Sequence, residues 1–264
     1  MAIRDTCDGL VIRECAYGES DKLLTVLTAD RGQLVMIAKG ARSTKSKVMC
    51  LCHLFTYANF EFYEKNGRRW ISGGAVNDSF FGLNSDITGF ALASYLVQLA
   101  AEISGEGVPA ERVLRMTLNS LYAIQNSLKP LPLIKSAYEI FAVEESGFSP
   151  DVSGCAECDA ESFSDGWLDV MNGRVLCEDC LSKQGGAERV PATDRFMTQT
   201  ILTPFSGEAL AAWRYVASAP LKRIFSFSLS SQGQELLSRA TEAYLVNHLE
   251  RSFETLEFYN MVKD

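Results

Sequence analysis

Histidine is almost missing from this chain: there are two, His53 and His248, far apart in sequence. That scarcity removes the residue used most often for general acid–base chemistry near neutral pH and for open catalytic metal sites. The chain also lacks a Gly-x-Ser-x-Gly elbow, a Walker-type phosphate loop and a dinucleotide fingerprint, which argues against the hydrolases, NTPases and dehydrogenases built on them. Gly73-Gly74 is too short for a phosphate cradle, and Glu144-Glu145 falls at the end of an expected helix, where a solvated face is a better reading than an acid–base dyad. Apolar runs of the ~20 residues that cross a bilayer are absent. The opening Met1-Ala-Ile-Arg-Asp-Thr6 has no apolar core of the signal-peptide kind. There is no internal repeat or low-complexity tract. A cytoplasmic protein without a catalytic constellation is expected.

What is present is an ordinary globular composition, 47% hydrophobic and 22% charged over 264 residues, enough chain for two or three domains. The net charge of −8 argues at first against a nucleic-acid partner. Its distribution reverses that argument for one part. Residues 1–80 hold eleven Lys/Arg against nine Asp/Glu, a balance of +2, and residues 81–264 hold fourteen against twenty-four, a balance of −10. Between Lys39 and Arg69 there are seven basic residues and two acidic ones. Such asymmetry points to a charged partner for the basic part.

The first 80 residues read as strands. Asp8–Arg13, Lys22–Thr28, Gln33–Ala38 and the aromatic Leu54–Tyr63 are separated by turn residues, and Arg68–Ile71 starts a return after Lys65-Asn-Gly67. About five short strands in this length predict a small closed barrel such as an OB-fold, although an SH3-like barrel fits the same pattern. From Asp86 the apolar period becomes helical. Leu92, Tyr95, Leu96, Leu99 and Ile103 mark one face, Leu114, Leu118, Leu121 and Tyr122 a second, and Leu133, Ala137, Ile140 and Phe141 a third. Helical spacing resumes near Ala192 after a flexible exit at Lys183-Gln-Gly-Gly186, and a last helix from about Gln234 is expected to run towards Tyr259. The fold class is α+β: a barrel over 1–80, then a helical domain over 81–264 carrying an insertion at about 150–185.

That insertion holds two Cys-x-x-Cys pairs, Cys155/Cys158 and Cys177/Cys180, eighteen residues apart. Each pair turns two sulfurs towards one point, and the chain between them folds back to bring four thiolates around one Zn²⁺. Asn172-Gly173 between Trp167–Met171 and Arg174–Leu176 predicts a two-residue hairpin turn. A disulfide or a redox pair is the rival reading, but redox chemistry needs one pair and has no use for a second. Four sulfurs fill the tetrahedron, so the expected zinc is structural. The other cysteines, Cys7, Cys15, Cys50 and Cys52, are expected as free thiols in a reducing compartment, with Cys50 and Cys52 buried or half-buried on one strand face.

Zinc modules often grip DNA, yet Asp151–Lys183 carries eight Asp/Glu against Arg174 and Lys183 alone, and four thiolates on Zn²⁺ add a formal charge of about −2. Phosphate binding needs the opposite sign. The better candidates are Lys39, Arg42, Lys45 and Lys47 in one loop, with Arg68 and Arg69 beside a later turn. Tyr57 or Tyr63 is placed to stack bases as single-strand-binding barrels do. The plainer reading of a lysine-rich loop is a solvated turn, and it is the second basic turn that favours binding.

Tyr17-Gly-Glu-Ser-Asp-Lys22, Thr25-Val-Leu-Thr28, Gly32, Lys39-Gly-Ala-Arg42, the two cysteine pairs, Pro220-Leu-Lys-Arg223, Tyr244–Arg251 and Leu256-Glu-Phe258 together resemble the RecO family of bacterial recombination mediators, over essentially the whole chain. The resemblance implies an N-terminal OB-fold, a helical C-terminal domain and a zinc-binding insertion. It implies binding to single- and double-stranded DNA and annealing of complementary strands. It also implies work with RecR, and often RecF, to load RecA onto DNA coated by single-strand-binding protein, in the cytoplasm at the nucleoid. Two other readings compete with it: a zinc-stabilised protein-interaction scaffold without DNA binding of its own, and a zinc hydrolase, which needs an open metal site.

Overall fold

The computed structural model describes residues 3–183 and 201–263. Gln184–Gly186 of the expected exit and the helical spacing near Ala192 lie outside the described residues. Two compact units emerge, Met1–Leu128 with Phe253–Asp264 and Lys129–Ser252. A closed N-terminal barrel is followed by the helical domain.

Five strands make the barrel: β1 Ile3–Tyr17, β2 Asp21–Thr28, β3 Gly32–Ala38, β4 Tyr57–Lys65 and β5 Arg68–Asp78. They close in the OB-like order β1-β2-β3-β5-β4. β1 is long enough to serve two neighbours. Its first half pairs antiparallel with β4, from Ile3 opposite Glu64 to Leu10 opposite Tyr57, and its second half with β2, ending at Tyr17 opposite Asp21. A bulge between Val11 and Arg13 bends the strand from one partner to the other. The parallel pairing of β3 with β5, Met36 opposite Arg69 and Ile37 opposite Trp70, completes the circle and removes the edges. Val11, Leu24, Val26, Met36, Phe60 and Phe62 fill the interior. Phe60 and Phe62 point in while Tyr57 and Tyr63, of opposite parity, remain half-buried on the other face.

Two expectations for the barrel need correction, and one strand outruns the stretch that announces it. β4 begins at Tyr57 rather than Leu54 because Phe55 takes a left-handed φ of 69° and turns its ring out of the strand, edge-on to Phe90 at 5.5 Å. β5 continues past Ile71 to Asp78, a stretch whose Gly73-Gly74 weakens the strand signal. Met49–Leu51 form a 3-10 turn, so Cys50 and Cys52 share no strand face: Cys50 is exposed, and Cys52 is buried with its Sγ 3.0 Å from the Val48 carbonyl. Burial pushes the Cys7 and Cys52 thiols up to about 12, which keeps both as inert packing groups.

Helices α1 Ile87–Ile103, α2 Glu111–Gln125 and α7 Glu254–Val262 belong to the same unit as the barrel. The Asp86 carboxylate caps α1 by accepting from the Thr88 and Gly89 amides at 3.1 and 3.0 Å. Leu92, Tyr95, Leu96 and Leu99 are buried as their spacing predicts. On α2 the apolar stripe is rotated from its expected position, leaving Tyr122 54% exposed. The buried face includes Thr117 and Ser120, whose hydroxyls donate to the Val113 and Met116 carbonyls at 2.7 and 2.8 Å. Satisfied in this way, polar residues enter a core face that hydropathy cannot see.

The second unit contains α3 Leu131–Glu145, α5 Gly207–Ser218, α6 Ser231–Leu249 and the short α4 Glu178–Lys183. It also contains a sheet of β6 Asp151–Cys155, β7 Gly166–Asp169, β8 Arg174–Cys177 and β9 Leu202–Pro204 in the order β6-β8-β7-β9. Every residue of α3 from Leu133 to Val143 is buried, so it is the central helix of the unit. The expected single C-terminal helix is two. α6 stops where Glu250 adopts a left-handed φ of 51°, and α7 starts after an extended Phe253. Among the described residues no helix is long and apolar enough to cross a membrane.

Candidate metal centre and nucleic-acid interface

β6 ends at Cys155, and the chain turns at once. The Cys155 amide donates to the Ala160 carbonyl at 3.0 Å and the Asp159 amide to the Cys155 carbonyl at 2.9 Å, with Asp159 left-handed at φ 56°. This knuckle presents Cys155 and Cys158 together. The second knuckle starts at the last residue of β8, Cys177, and uses the first turn of α4 to bring Cys180 round. β7 and β8 pair in register from Gly166 opposite Cys177 to Asp169 opposite Arg174. The turn is therefore the four residues 170–173, not two, with Gly173 at φ 62° as its left-handed member. A buried Asp169 builds that turn, accepting from the Asn172 Nδ2 at 2.8 Å, the Asn172 amide at 3.2 Å and Arg174 Nε at 3.2 Å.

The four Sγ atoms all lie within 4.8 Å of one another. Cys158 and Cys177 sulfurs are 3.8 Å apart, and tetrahedral Zn–S bonds of ~2.3 Å place sulfurs ~3.8 Å apart. The donor set therefore fits a metal ion, four soft ligands converging on one point. Backbone donors support it: the Cys177 amide points at Cys155 Sγ from 3.3 Å. Burial alone would raise the Cys155 thiol, but amides of Cys177, Glu157 and Cys158 outweigh it and bring it down to about 6. Cys180 is pushed up to about 12, first by its hydrogen bonds to Cys158 and Cys177. Thiols crowded at one point oppose their joint ionisation, and a bound cation offsets that opposition.

The basic loop after β3 is firmly seated. Ala41 is buried under it, the Gly40 amide donates to the Asp21 carboxylate at 2.8 Å, and the Arg42 amide donates to the Ser20 carbonyl at 3.0 Å. Arg42 Nη1 also reaches the Glu19 carbonyl at 3.0 Å. The loop is thereby docked on the β1–β2 turn and displays Lys39, Arg42, Lys45 and Lys47 to solvent. The sequence marks residues 17–21 only as turn residues between two strands, and the aspartate just before an apolar strand is the one signal of their part as the loop's platform.

Arg68 and Arg69 differ from each other. Arg68 is exposed, whereas Arg69 lies in ion pairs with Glu106 at 3.2 Å and Glu64 at 3.8 Å. The β3–β5 register sets Arg69 opposite Met36, three residues before Lys39, so the two basic segments start about 10 Å apart along neighbouring strands. That is about one Debye length at 0.1 M salt. Tyr63 lies opposite Trp70 across β4 and β5, next to the Arg69 pair, while Tyr57 lies at the far end of β4, opposite Asp78.

Known proteins resemble the chain along nearly all its length. The family model described as recombination protein O N terminal matches residues 1–80, and that described as recombination protein O C terminal matches residues 84–257. A protein of Acetivibrio thermocellus named DNA repair protein RecO is 26% identical over 95% of this chain and 94% of its own length. One of the same name from Alkaliphilus metalliredigens is 24% identical over 95% and 96%. Another from Listeria monocytogenes is 29% identical over 68% and 69%.

Proposed function

The chain belongs to the RecO family of recombination proteins, and from that premise we propose that it is a DNA-repair and recombination mediator acting without covalent catalysis. The barrel of residues 1–80 binds single- and double-stranded DNA through Lys39, Arg42, Lys45, Lys47 and Arg68. Arg69 joins them once phosphate displaces its acidic partners; exposed ion pairs of this kind are worth only about 0–1 kcal/mol. The observation that supports this reading is the loop itself, whose backbone is tied to the barrel at Gly40 and Arg42 and which exposes four cations.

Annealing then follows from electrostatics. A surface that neutralises phosphates on two strands at once lowers their mutual repulsion and raises their local concentration, and base pairing does the rest. With RecR, and with RecF where present, the protein helps to load RecA onto DNA coated by single-strand-binding protein, in the cytoplasm at the nucleoid. The acidic helical domain is the protein-docking half. Its Cys155, Cys158, Cys177 and Cys180 hold one Zn²⁺, which supplies a cross-link in place of a larger apolar core. Binding of single- and double-stranded DNA measured over a series of salt concentrations, with and without RecR and single-strand-binding protein, tests the reading. Affinity should fall steeply as salt rises, and salt-insensitive binding or none would leave the scaffold reading in its place.

A further inference from the structure

Arg214 stands on α5, outside both knuckles, yet all three of its polar directions are spent on one of them. Nε donates to the Val152 carbonyl, Nη2 to the Ser153 carbonyl and Nη1 to the Glu161 carbonyl at 2.8 Å. Val152 and Ser153 lie on the strand entering the first cysteine loop, and Glu161 lies just beyond Ala160, whose carbonyl closes that loop on the Cys155 amide. The guanidinium therefore bridges the incoming and outgoing arms of the loop that carries Cys155 and Cys158. The seat of α5 is specific as well. The Gly207 amide donates to the Ser164 carbonyl at 2.9 Å, and a Cβ at Gly207 would stand 1.9 Å from the Phe163 carbonyl oxygen. α5 cannot drift from the insertion without losing both attachments.

We propose that Arg214 is the positioning residue of the metal site, clamping the mouth of the first Cys-x-x-Cys loop so that Cys155 and Cys158 are held in ligand geometry from α5. The inference rests on the four-cysteine metal reading. A rigid planar fork suits it, because three carbonyls in fixed directions match guanidinium donors and do not match a lysine ammonium on a flexible stem. The same cation also offsets part of the negative charge that four thiolates bring, and its field already holds down the neighbouring Asp151 carboxyl, after the hydrogen bonds from Ser153.

The test compares full-length wild type, Arg214→Gln, Arg214→Lys and Leu237→Ala, the last opening a cavity at a buried α6 position. Each is loaded with zinc, release to a chromophoric chelator is timed, and the cobalt-substituted forms are read by their thiolate charge-transfer band. Loss of an outer-shell support typically weakens metal binding by about 10–100-fold. Arg214→Gln should release zinc faster by a factor in that range, and Arg214→Lys should do so too if the glutamine variant fails to fold. Leu237→Ala should release at the wild-type rate despite a lower thermal midpoint. Wild-type release from both Arg214 variants overturns the inference, as does an equal acceleration in Leu237→Ala, which would mean general loosening. A wild-type protein with no cobalt–thiolate band overturns the metal reading itself, and the inference with it.

Discussion

At the scale of single residues the sulfurs are the sharpest feature, because each has a distinct burden. Cys155 is buried, and the backbone N–H groups it receives outweigh that burial and lower its thiol to about 6; Cys177 is buried and raised, first by that burial. Under the proposed zinc site, replacing either with Ser removes a soft ligand and leaves three, a set that opens the tetrahedron to water. Cys155→Ser and Cys177→Ser should each carry well under one zinc per chain by elemental analysis and melt at lower temperature. Full occupancy in both would show that the ligands have been misassigned. That these four sulfurs converge was legible because two Cys-x-x-Cys pairs at this spacing bring them to one point. Arg214 was not, since no local pattern ties an arginine on one helix to carbonyls 53 to 62 residues earlier. The ion pairs of Arg69 were equally hidden, because Glu106 comes from a loop between helices that hydropathy treats as a plain break.

At the scale of elements, the contact between α3 and α6 shows what periodicity gives and what it withholds. The apolar stripe Leu133, Ala137, Ile140, Phe141 located α3 from the sequence, but its all-round burial draws in Lys135 and Glu139, 1% and 0% exposed. An i, i+4 pair of this kind reads as a solvated face. Here Lys135 Nζ contacts Glu139 at 2.9 Å and Glu242 of α6 at 2.8 Å, and the Thr241 hydroxyl donates to Glu139 at 2.6 Å. Burial pushes the Glu139 carboxyl up, and the ammonium opposes it. Lys135→Met should therefore leave an uncompensated buried acid and cost about 3–5 kcal/mol in chemical denaturation, and adding Glu139→Leu should recover much of that loss. A single variant as stable as wild type would mean that the network contributes nothing. Element ends were the least legible: Phe55 and Glu250 take left-handed conformations for which neither residue type gives a signal.

At the scale of the whole molecule, charge is divided between two tasks. The overall −8 hides a barrel half that is net positive and a remainder that is strongly negative, so under the proposed function the acidic remainder would repel DNA while the barrel's loop attracts it. The strand count and turn residues made the barrel legible, and the charge count is what proposes it as the DNA-binding part. What the sequence could not supply was the anchoring of Gly40 on Asp21 and of Arg42 on Ser20, which ties the start of a lysine-rich run to the barrel as a cationic edge. The account therefore depends on that edge, and one measurement reaches it most directly: the slope of log affinity against log salt for single-stranded DNA, compared between wild type and Arg42→Ala/Lys45→Ala/Lys47→Ala. Each lost phosphate contact on a single strand lowers the slope by about 0.7, so the triple variant should bind more weakly with a slope shallower by about 2. An unchanged slope and affinity would contradict the assignment of DNA binding to the barrel loop.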